Sequence, residues 1–213
     1  MARDRVPWIV GVSGASGTPY AAAVLRGLLD AGEAVDLVVS RAARLTILDE
    51  VGTPMRDAHW KDDLAGWLGR DLAAVDVVYW PAGDLSAGPS SGSYRARGMI
   101  VVPASTAACA GIAIGLSKDL LQRAAEVNLK ERRPVVVVPR ETPVSRSHLL
   151  HLVALIDAGA TVLPASPGFY ADGANATAAQ LVDFVAGKVL DAAGVPHTLF
   201  TRWRGGIGGS AEP

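Results

Sequence analysis

The chain has 213 residues, of which 50% are hydrophobic, and its 20 basic and 21 acidic side chains leave a net charge of −1. This length and apolar content predict one α/β domain with a sizeable core over residues 1–204, followed by a tail at 205–213. The near-zero charge gives no electrostatic reason to expect binding to nucleic acid or to an anionic membrane.

Cysteine content and hydropathy indicate the cellular compartment in which the protein is expected. The sequence has one cysteine, Cys109, which excludes a disulfide within the chain, and its alanine-rich surroundings indicate a buried thiol. No apolar run reaches 18 residues, and the charged residues 1–5 lead directly into a short apolar stretch, unlike a secretory signal. We therefore expect a cytoplasmic protein.

The first predicted strand begins at Trp8 and passes into a turn of small residues. Gly11, Gly14 and Gly17 have GxxGxxG spacing, which differs from the GxGxxG of dinucleotide sites. A helix that begins after such a turn offers free N–H groups to an anion. The pattern therefore favours a mononucleotide phosphate such as that of FMN, and a tight turn without any ligand is the alternative.

Strand-like and helix-like segments alternate along the rest of the chain. Trp60 and Trp67 have helical spacing and predict a helix that packs its aromatic stripe. Apolar runs predict strands at 35–40, 75–80, 99–103, 134–139 and 161–164, and amphipathic spacing predicts helices at 21–29, 41–50, 120–132, 145–158 and 177–193. This alternation predicts a doubly wound, mainly parallel sheet with helices on both faces.

Two further segments point to a site at the carboxyl ends of the strands. Residues 81–98 are rich in Gly, Ser and Pro, and a loop of this length inside a compact domain is typically functional or disordered. Residues 104–112 repeat the small-residue turn that follows the first strand. Two such turns at one edge of a parallel sheet would flank a crevice.

Charged residues lie on both sides of the predicted strand at 134–139. Arg140 and Glu141 follow it, where they would hold a phosphate and handle a proton, or would form only an ion pair. Lys130 precedes the strand. His148 and His151 are three residues apart on a predicted helix, but no third ligand is evident and no metal site is predicted.

Five segments stand out in order along nearly the whole chain. They are GVSGASG at 11–17, SGS at 91–93, LQRAAEVNLKERRP at 121–134, VPRETP at 138–143 and LPASPGFY at 163–170. Together they resemble the flavin prenyltransferases of the UbiX type. The resemblance implies a Rossmann-like flavoprotein fold and a metal-independent transfer.

Members of this family take a dimethylallyl group from dimethylallyl phosphate and join it to N5 and C6 of reduced FMN. The resulting prenylated FMN serves a partner decarboxylase of aromatic or unsaturated acids. Family members are homo-oligomers, dodecamers whose active sites use loops of neighbouring subunits. The resemblance therefore implies that the loop at 81–98 serves an adjacent chain.

The resemblance also implies roles for matching residues. Glu141 would pass a proton to the leaving phosphate, and Ser16 with Glu50 would relay the N5 proton. Trp80 is either a wall of the prenyl pocket or a core residue. FMN would be bound by Gly14, Ala15, Ser16, Ser40, Ser105, Thr106, Ala107, Ala108 and Arg123. The allylic phosphate would be bound by Ser91, Gly92, Lys130, Arg140, Tyr170 and Lys188.

The sequence departs from the family at Lys188, where an arginine is usual, so the charge is kept without a bidentate fork. Two other functions remain open. The related cysteine decarboxylases rely on a histidine near the second helix and a PxMNxxMW-like clamp, where this chain has Glu50 and PRETP at 139–143. A non-catalytic protein that binds or stores flavin would keep the FMN site and lose turnover.

Overall fold

A computed structural model describes residues 6–169 and 175–203, and within them the chain forms six strands and seven α-helices. The predicted tail at 205–213 lies outside the described residues. The strands are β1 (Trp8–Val12), β2 (Val35–Val39), β3 (Val77–Pro81), β4 (Gly98–Ala104), β5 (Val135–Pro139) and β6 (Thr161–Val162). The helices are α1 (Thr18–Asp30), α2 (Arg41–Val51), α3 (Trp60–Leu68), α4 (Thr106–Ala113), α5 (Leu120–Lys130), α6 (Arg146–Asp157) and α7 (Ala178–Ala192).

The strands form one sheet in the order β3-β2-β1-β4-β5-β6, and every pairing between them is parallel. Trp8 of β1 pairs with Val35 of β2 on one side and with Gly98 of β4 on the other. The chain therefore changes direction of winding between β1 and β4. In such sheets, ligands bind outside the carboxyl ends of the strands at this switch point. The predicted doubly wound sheet is confirmed.

Each face of the sheet carries its own apolar core. Leu28 of α1, Leu64 of α3 and Val189 of α7 belong to one core, whereas Leu121 of α5 and Leu155 of α6 belong to the other. Strands covered on both faces are almost entirely apolar, with the buried Asp36 of β2 as an exception, which explains why they appear as nearly continuous apolar runs in the sequence. In the part of the chain that the structure describes, no helix is long and apolar enough to cross a membrane.

The predicted core residues of two segments are also confirmed. Trp67 is buried in the first core, and Trp60 stacks on Tyr79 with ring centroids 5.9 Å apart. Cys109 is buried in the second core, and this burial raises the pKa of its thiol to about 11. The thiol is therefore protonated at neutral pH and behaves as a small apolar group.

Candidate active site

Ser13 joins the two turns that follow β1 and β4. Its hydroxyl donates to the carbonyl oxygen of Pro103 at 2.8 Å and accepts from the N–H of Ser105 at 2.7 Å. The side chain is buried, and its bond to Pro103 is shielded from water. Ser13 was not among the predicted site residues, although a hydroxyl directly after an apolar strand is a usable signal.

Helix α2 lies across the loop between β1 and α1. Near its start, Ala42 packs against Gly14 so closely that a Cβ on Gly14 would come within 2.4 Å of the Ala42 Cβ. Near its end, Glu50 reaches Gly17 and Thr18. Glycine at position 14 is therefore required by the close approach of α2.

The carboxylate of Glu50 caps the start of α1. Oε1 accepts from the N–H of Gly17 at 3.0 Å, and Oε2 accepts from the N–H of Thr18 at 2.8 Å and from the Thr18 hydroxyl at 2.7 Å. Gly17 itself has φ 111° and no side chain with which to cap the helix. Burial would raise the pKa of Glu50, but hydrogen bonds from Ser16, Thr18 and the Gly17 amide outweigh it and lower the pKa. Glu50 is therefore an internal anion at the helix N-terminus.

This arrangement changes the expected position of the nucleotide phosphate. The N–H groups of Gly17 and Thr18 are already bonded to Glu50. The start of α1 therefore does not offer the free N–H groups expected from the sequence, because a carboxylate from α2 accepts from those of Gly17 and Thr18.

A cavity of about 550 Å³ opens beside this loop, among residues that follow β1, β2, β3 and β4. Its volume lies in the usual range of ligand sites, about 300–1,000 Å³. Among the residues predicted to bind flavin, those that line the cavity are Gly14, Ser40, Ser105, Ala107 and Ala108. The cavity combines hydroxyl groups with small apolar side chains, which suits a flat aromatic ring with polar edges.

The remaining predicted flavin residues lie elsewhere in the chain. Ala15 is buried and Ser16 is exposed on the same loop. Thr106 lines a second cavity. The Arg123 guanidinium donates to the Ser90 carbonyl oxygen at 3.1 Å and to Glu126 at 2.7 Å, so it fastens the 81–98 loop to α5.

Two cations that the sequence analysis did not assign to the site, Arg41 and Lys118, line the 550 Å³ cavity. Arg41 is the first residue of α2, directly after the N-cap Ser40, whose hydroxyl accepts from the Ala43 N–H at 3.1 Å. Helix α4 also begins at this cavity, with Ser105 as its N-cap. Two helix N-termini and two cations therefore lie on this wall, together with one carboxylate, Asp119, which caps α5 by accepting from the Gln122 N–H at 3.0 Å. Arg41 could have been predicted from the sequence, because it is a basic residue in the first helical turn after a strand.

Arg140 and Glu141 follow β5 but contact different parts of the molecule. The Nε of Arg140 donates to the Ser16 carbonyl oxygen at 2.8 Å. Glu141 is exposed and lines a second cavity of about 240 Å³, together with Cys109, His148 and other residues of α4 and α6. Within one chain, Arg140 therefore adjoins the glycine loop, whereas Glu141 faces the side of α6.

The two histidines of α6 differ in their contacts, because His148 has a local hydrogen-bond partner whereas the Nδ1 of His151 is buried without one among the described residues. The Nδ1 of His148 accepts from the Ser145 N–H at 3.2 Å, as part of the capping box of α6. His151 also lines the smaller cavity. Within residues 6–169 and 175–203, no group of three or more His, Cys, Asp or Glu side chains is placed to hold a metal.

Lys130 and Arg140 lie at opposite ends of strand β5. Lys130 is the last residue of α5 and precedes the amino end of β5, whereas Arg140 follows its carboxyl end. Lys130 is therefore separated from Arg140 and Glu141 within one chain, and their binding of one phosphate stays a prediction that needs a neighbouring copy. The reason is topological, because the whole of β5 separates them.

The predicted phosphate-binding residues of the 81–98 loop lie beside Lys130. A Cβ on Gly92 would come within 2.8 Å of the Lys130 Nζ, and Arg133 donates to the Gly92 carbonyl oxygen at 2.7 Å. Lys130 also forms an ion pair with Glu131. Ser91, Gly92 and Lys130 thus form one group, which we call the amino-edge cluster.

Three other predicted residues do not join either group within the chain. The Lys188 Nζ lies on the exposed side of α7, 4.0 Å from the carboxylate of Asp191. Trp80 packs against the second core at the end of β3 and does not line the 550 Å³ cavity. Tyr170 lies outside the described residues.

Comparisons with known proteins agree with this geometry. Residues 2–190 match the model of the family described as Flavoprotein. The chain is 66% identical over 214 aligned positions to the flavin prenyltransferase UbiX of Streptomyces coelicolor, covering 96% of this chain and 98% of that protein.

Two solved structures share the fold over nearly their full length. The first is AnUbiX (PadA1) in complex with FMN and dimethylallyl pyrophosphate, with a TM-score of 0.82 at 33% identity over 95% of this chain and 100% of that one. The second is a dodecameric FMN-dependent UbiX-like decarboxylase from Escherichia coli O157:H7, with a TM-score of 0.82 at 36% identity over 94% and 100% of the two chains. The chain therefore belongs to the Flavoprotein family and, within it, to the UbiX-type flavin prenyltransferases.

Proposed function

We propose that this chain joins a dimethylallyl group to N5 and C6 of reduced FMN, in a site that two copies of the chain complete together. The observation that carries the proposal is the position of Ser16. Its carbonyl oxygen accepts from Arg140, a cation suited to a phosphate, and it directly precedes Gly17, whose N–H donates to the carboxylate of Glu50. One residue thus connects the leaving-group end of the site to a proton acceptor.

The 550 Å³ cavity suits FMN as the acceptor substrate. Its hydroxyl groups, such as those of Ser40 and Ser105, match the polar edge of the ring, and Ala107 and Ala108 provide an apolar surface. Reduced FMN supplies two nucleophilic atoms: N5 would bond to the prenyl group and lose its proton as the C–O bond breaks, and C6 would bond and lose its proton as the prenyl alkene takes up one proton. We assign the FMN phosphate to the wall that carries Arg41 and Lys118 rather than to the start of α1, where Glu50 is bound.

Ser16 and Glu50 can carry a proton away from the ring. A hydroxyl has one proton to donate, and Ser16, which helps to lower the pKa of Glu50, would donate its proton to that carboxylate while the lone pairs of its Oγ accept. Because hydrogen bonding lowers the pKa of Glu50, the carboxylate is ionised at neutral pH and is ready to receive the proton that Ser16 passes on.

Arg140 would hold the phosphate of the prenyl donor. The electron pair of the allylic C–O bond leaves with the phosphate, and a guanidinium beside that oxygen stabilises the growing negative charge. Glu141, the next residue, would return a proton to the departing phosphate. Neither step requires a metal ion from this chain.

A second copy of the chain would supply the remaining phosphate ligands. The amino-edge cluster of Ser91, Gly92 and Lys130 lies beyond β5 from Arg140 in its own chain, and the Lys130 side chain is 46% exposed. A neighbouring copy could present this cluster to Arg140, and the dodecameric relative from E. coli supports such packing. We further propose that Tyr170 and Lys188 act at this shared site, and that prenylated FMN passes to a decarboxylase of aromatic or unsaturated acids.

The proposal is tested by following phosphate release. Purified protein is incubated without oxygen with reduced FMN and either dimethylallyl phosphate or the diphosphate. We expect one phosphate, or one diphosphate, released for each FMN consumed, and we expect Glu141→Gln to bind FMN normally while release collapses. FMN binding without release from either donor would instead favour a flavin-storage protein.

A further inference from the structure

Thr18 is an unusual residue at the start of α1. Its side chain is completely buried, at 0% exposure, although threonines are mostly exposed in proteins. A buried hydroxyl needs a hydrogen-bond partner, and its partner here is the Oε2 of Glu50, 32 residues away, at 2.7 Å. The backbone N–H of Thr18 donates to the same oxygen at 2.8 Å.

These contacts determine how the carboxylate is oriented. Oε2 receives two hydrogen bonds from Thr18, and the Gly17 N–H contacts both oxygens, at 3.0 and 3.2 Å. An ionised carboxylate has about four acceptor sites, so acceptor capacity is left for the Ser16 hydroxyl. A glutamate at the exposed end of a helix otherwise has considerable rotamer freedom.

We propose that Thr18 is a positioning residue that fixes the orientation of the Glu50 carboxylate at the start of α1, two residues after Ser16. The inference rests on the proposed function, in which Ser16 and Glu50 relay a proton. Thr18 has no contact with substrate in this account. It acts through Glu50, and its side-chain hydroxyl is the part that matters, because any residue but proline supplies the backbone N–H.

Other titratable side chains surround this loop and enter the design of the test. They are Tyr20 on α1, which packs against Gly17, Asp49 beside Glu50 on α2, and Arg140 from the loop after β5. None of them is altered by a substitution at position 18. A change in the titration of Glu50 in such a variant therefore reports the loss of the Thr18 hydroxyl.

The test compares Thr18→Val and Thr18→Ala, which remove the hydroxyl, with Thr18→Ser, which keeps it. We expect the first two to lower kcat for phosphate release about tenfold with little change in the KM of the donor, since a hydrogen bond to a charged group is lost. Their acid limb in the pH profile of kcat should move to higher pH, because a carboxylate with fewer donors binds a proton more readily. Thr18→Ser should restore both values.

Thr46→Val is the matched control. Thr46 lies on the same helix as Glu50, and its hydroxyl donates only to the Ala42 carbonyl oxygen one turn earlier, at 3.2 Å. This variant should behave as the wild type does. Equal losses in Thr18→Ser and Thr18→Val, or a wild-type pH profile in Thr18→Val, would overturn the inference.

A carboxyl NMR titration of Glu50 in the FMN-free protein separates this inference from the proposed function, because it needs no turnover. We expect the pKa of Glu50 to rise in Thr18→Val and Thr18→Ala and to stay low in Thr18→Ser. If the wild type forms no product, the proposed function fails and the titration alone decides whether Thr18 fixes Glu50. An unchanged pKa of Glu50 in both Thr18→Val and Thr18→Ala would refute the positioning role of Thr18.

Discussion

The Nε of Arg140 donates a hydrogen bond to the carbonyl oxygen of Ser16 at 2.8 Å, although 124 residues separate them in the chain. In the sheet, β4 lies between β1, which precedes Ser16, and β5, which precedes Arg140. The Cγ of Arg140 would lie 3.8 Å from a Cβ on Gly17, so the side chain packs directly against the glycine loop. Only a long side chain can make this contact and still present charge to a ligand.

We first predict that Arg140→Lys raises the KM of the dimethylallyl donor about tenfold or more. Lysine keeps the charge but lacks the fork that lets arginine bond Ser16 through Nε and a phosphate through its terminal nitrogens. Hydrogen bonds to charged groups contribute about 1.5–3 kcal/mol, which sets this scale. The measurement is steady-state phosphate release, together with fluorescence titration of FMN, whose affinity should be unchanged. A parallel loss of FMN affinity would contradict the assignment of Arg140 to the donor.

Replacement of Gly14 by alanine should destabilise the protein and weaken FMN binding. The new Cβ would meet the Ala42 Cβ at 2.4 Å, so α2 must shift, and we expect a loss of about 1–3 kcal/mol in the free energy of unfolding and weaker FMN binding. Gly66→Ala is the control, because Gly66 lies within α3 with only the Thr53 methyl near it, at 3.9 Å. That variant should be more stable by about 0.5–1 kcal/mol. Chemical denaturation measures the free energy of unfolding of both variants. Equal stabilities of the two variants would refute the close approach of Ala42 to Gly14.

Arg41 should distinguish FMN from riboflavin. We predict that Arg41→Ala weakens FMN binding about tenfold or more and leaves riboflavin binding unchanged, because only FMN carries the phosphate that Arg41 would contact. Arg70→Ala provides a control, since Arg70 pairs with Asp30 at 2.7 Å and does not line the cavity. Calorimetric titration with both ligands measures the effect. Equal losses for FMN and riboflavin would remove Arg41 from the phosphate site.

The shared site predicts that two inactive variants can complement each other. Lys130→Ala and Arg140→Ala alter residues at opposite ends of β5, which we assign to different copies at each shared site. An assembly mixed from both variants therefore contains some sites in which one copy supplies Lys130 and the other supplies Arg140. Activity should therefore reappear on mixing, once native mass spectrometry confirms that subunits have exchanged. A mixture of Arg140→Ala with Glu141→Gln, both altered at one edge, should stay inactive. Mixed assemblies of the first pair that remain inactive would exclude a site built from two copies.

The sequence was sufficient to predict the sheet and most of its helices, because buried parallel strands and amphipathic helices leave strong periodic patterns. It also contained the reason that Lys130 and Arg140 cannot meet in one chain, since one precedes β5 and the other follows it. The resemblance to a family lists residues without saying which copy of the chain supplies each. The position of each residue before or after its strand shows which of them one copy of the chain can bring together.

The capping of α1 by Glu50 could not be predicted in the same way. Local sequence rules place a cap within a few residues of the helix start, and Glu50 lies 33 residues from Gly17. A small-residue turn before a helix therefore has two physical outcomes, an external anion or an internal carboxylate. Only the packing of α2 across the loop decides between them.

The most direct test of prenyl transfer is the mass of the flavin recovered after anaerobic incubation of the wild-type protein with reduced FMN and dimethylallyl phosphate. We predict a flavin heavier by one C5H8 unit, as expected when two new carbon attachments form and phosphate departs. Recovery of unmodified FMN alone, with dimethylallyl phosphate and with the diphosphate, would contradict the account.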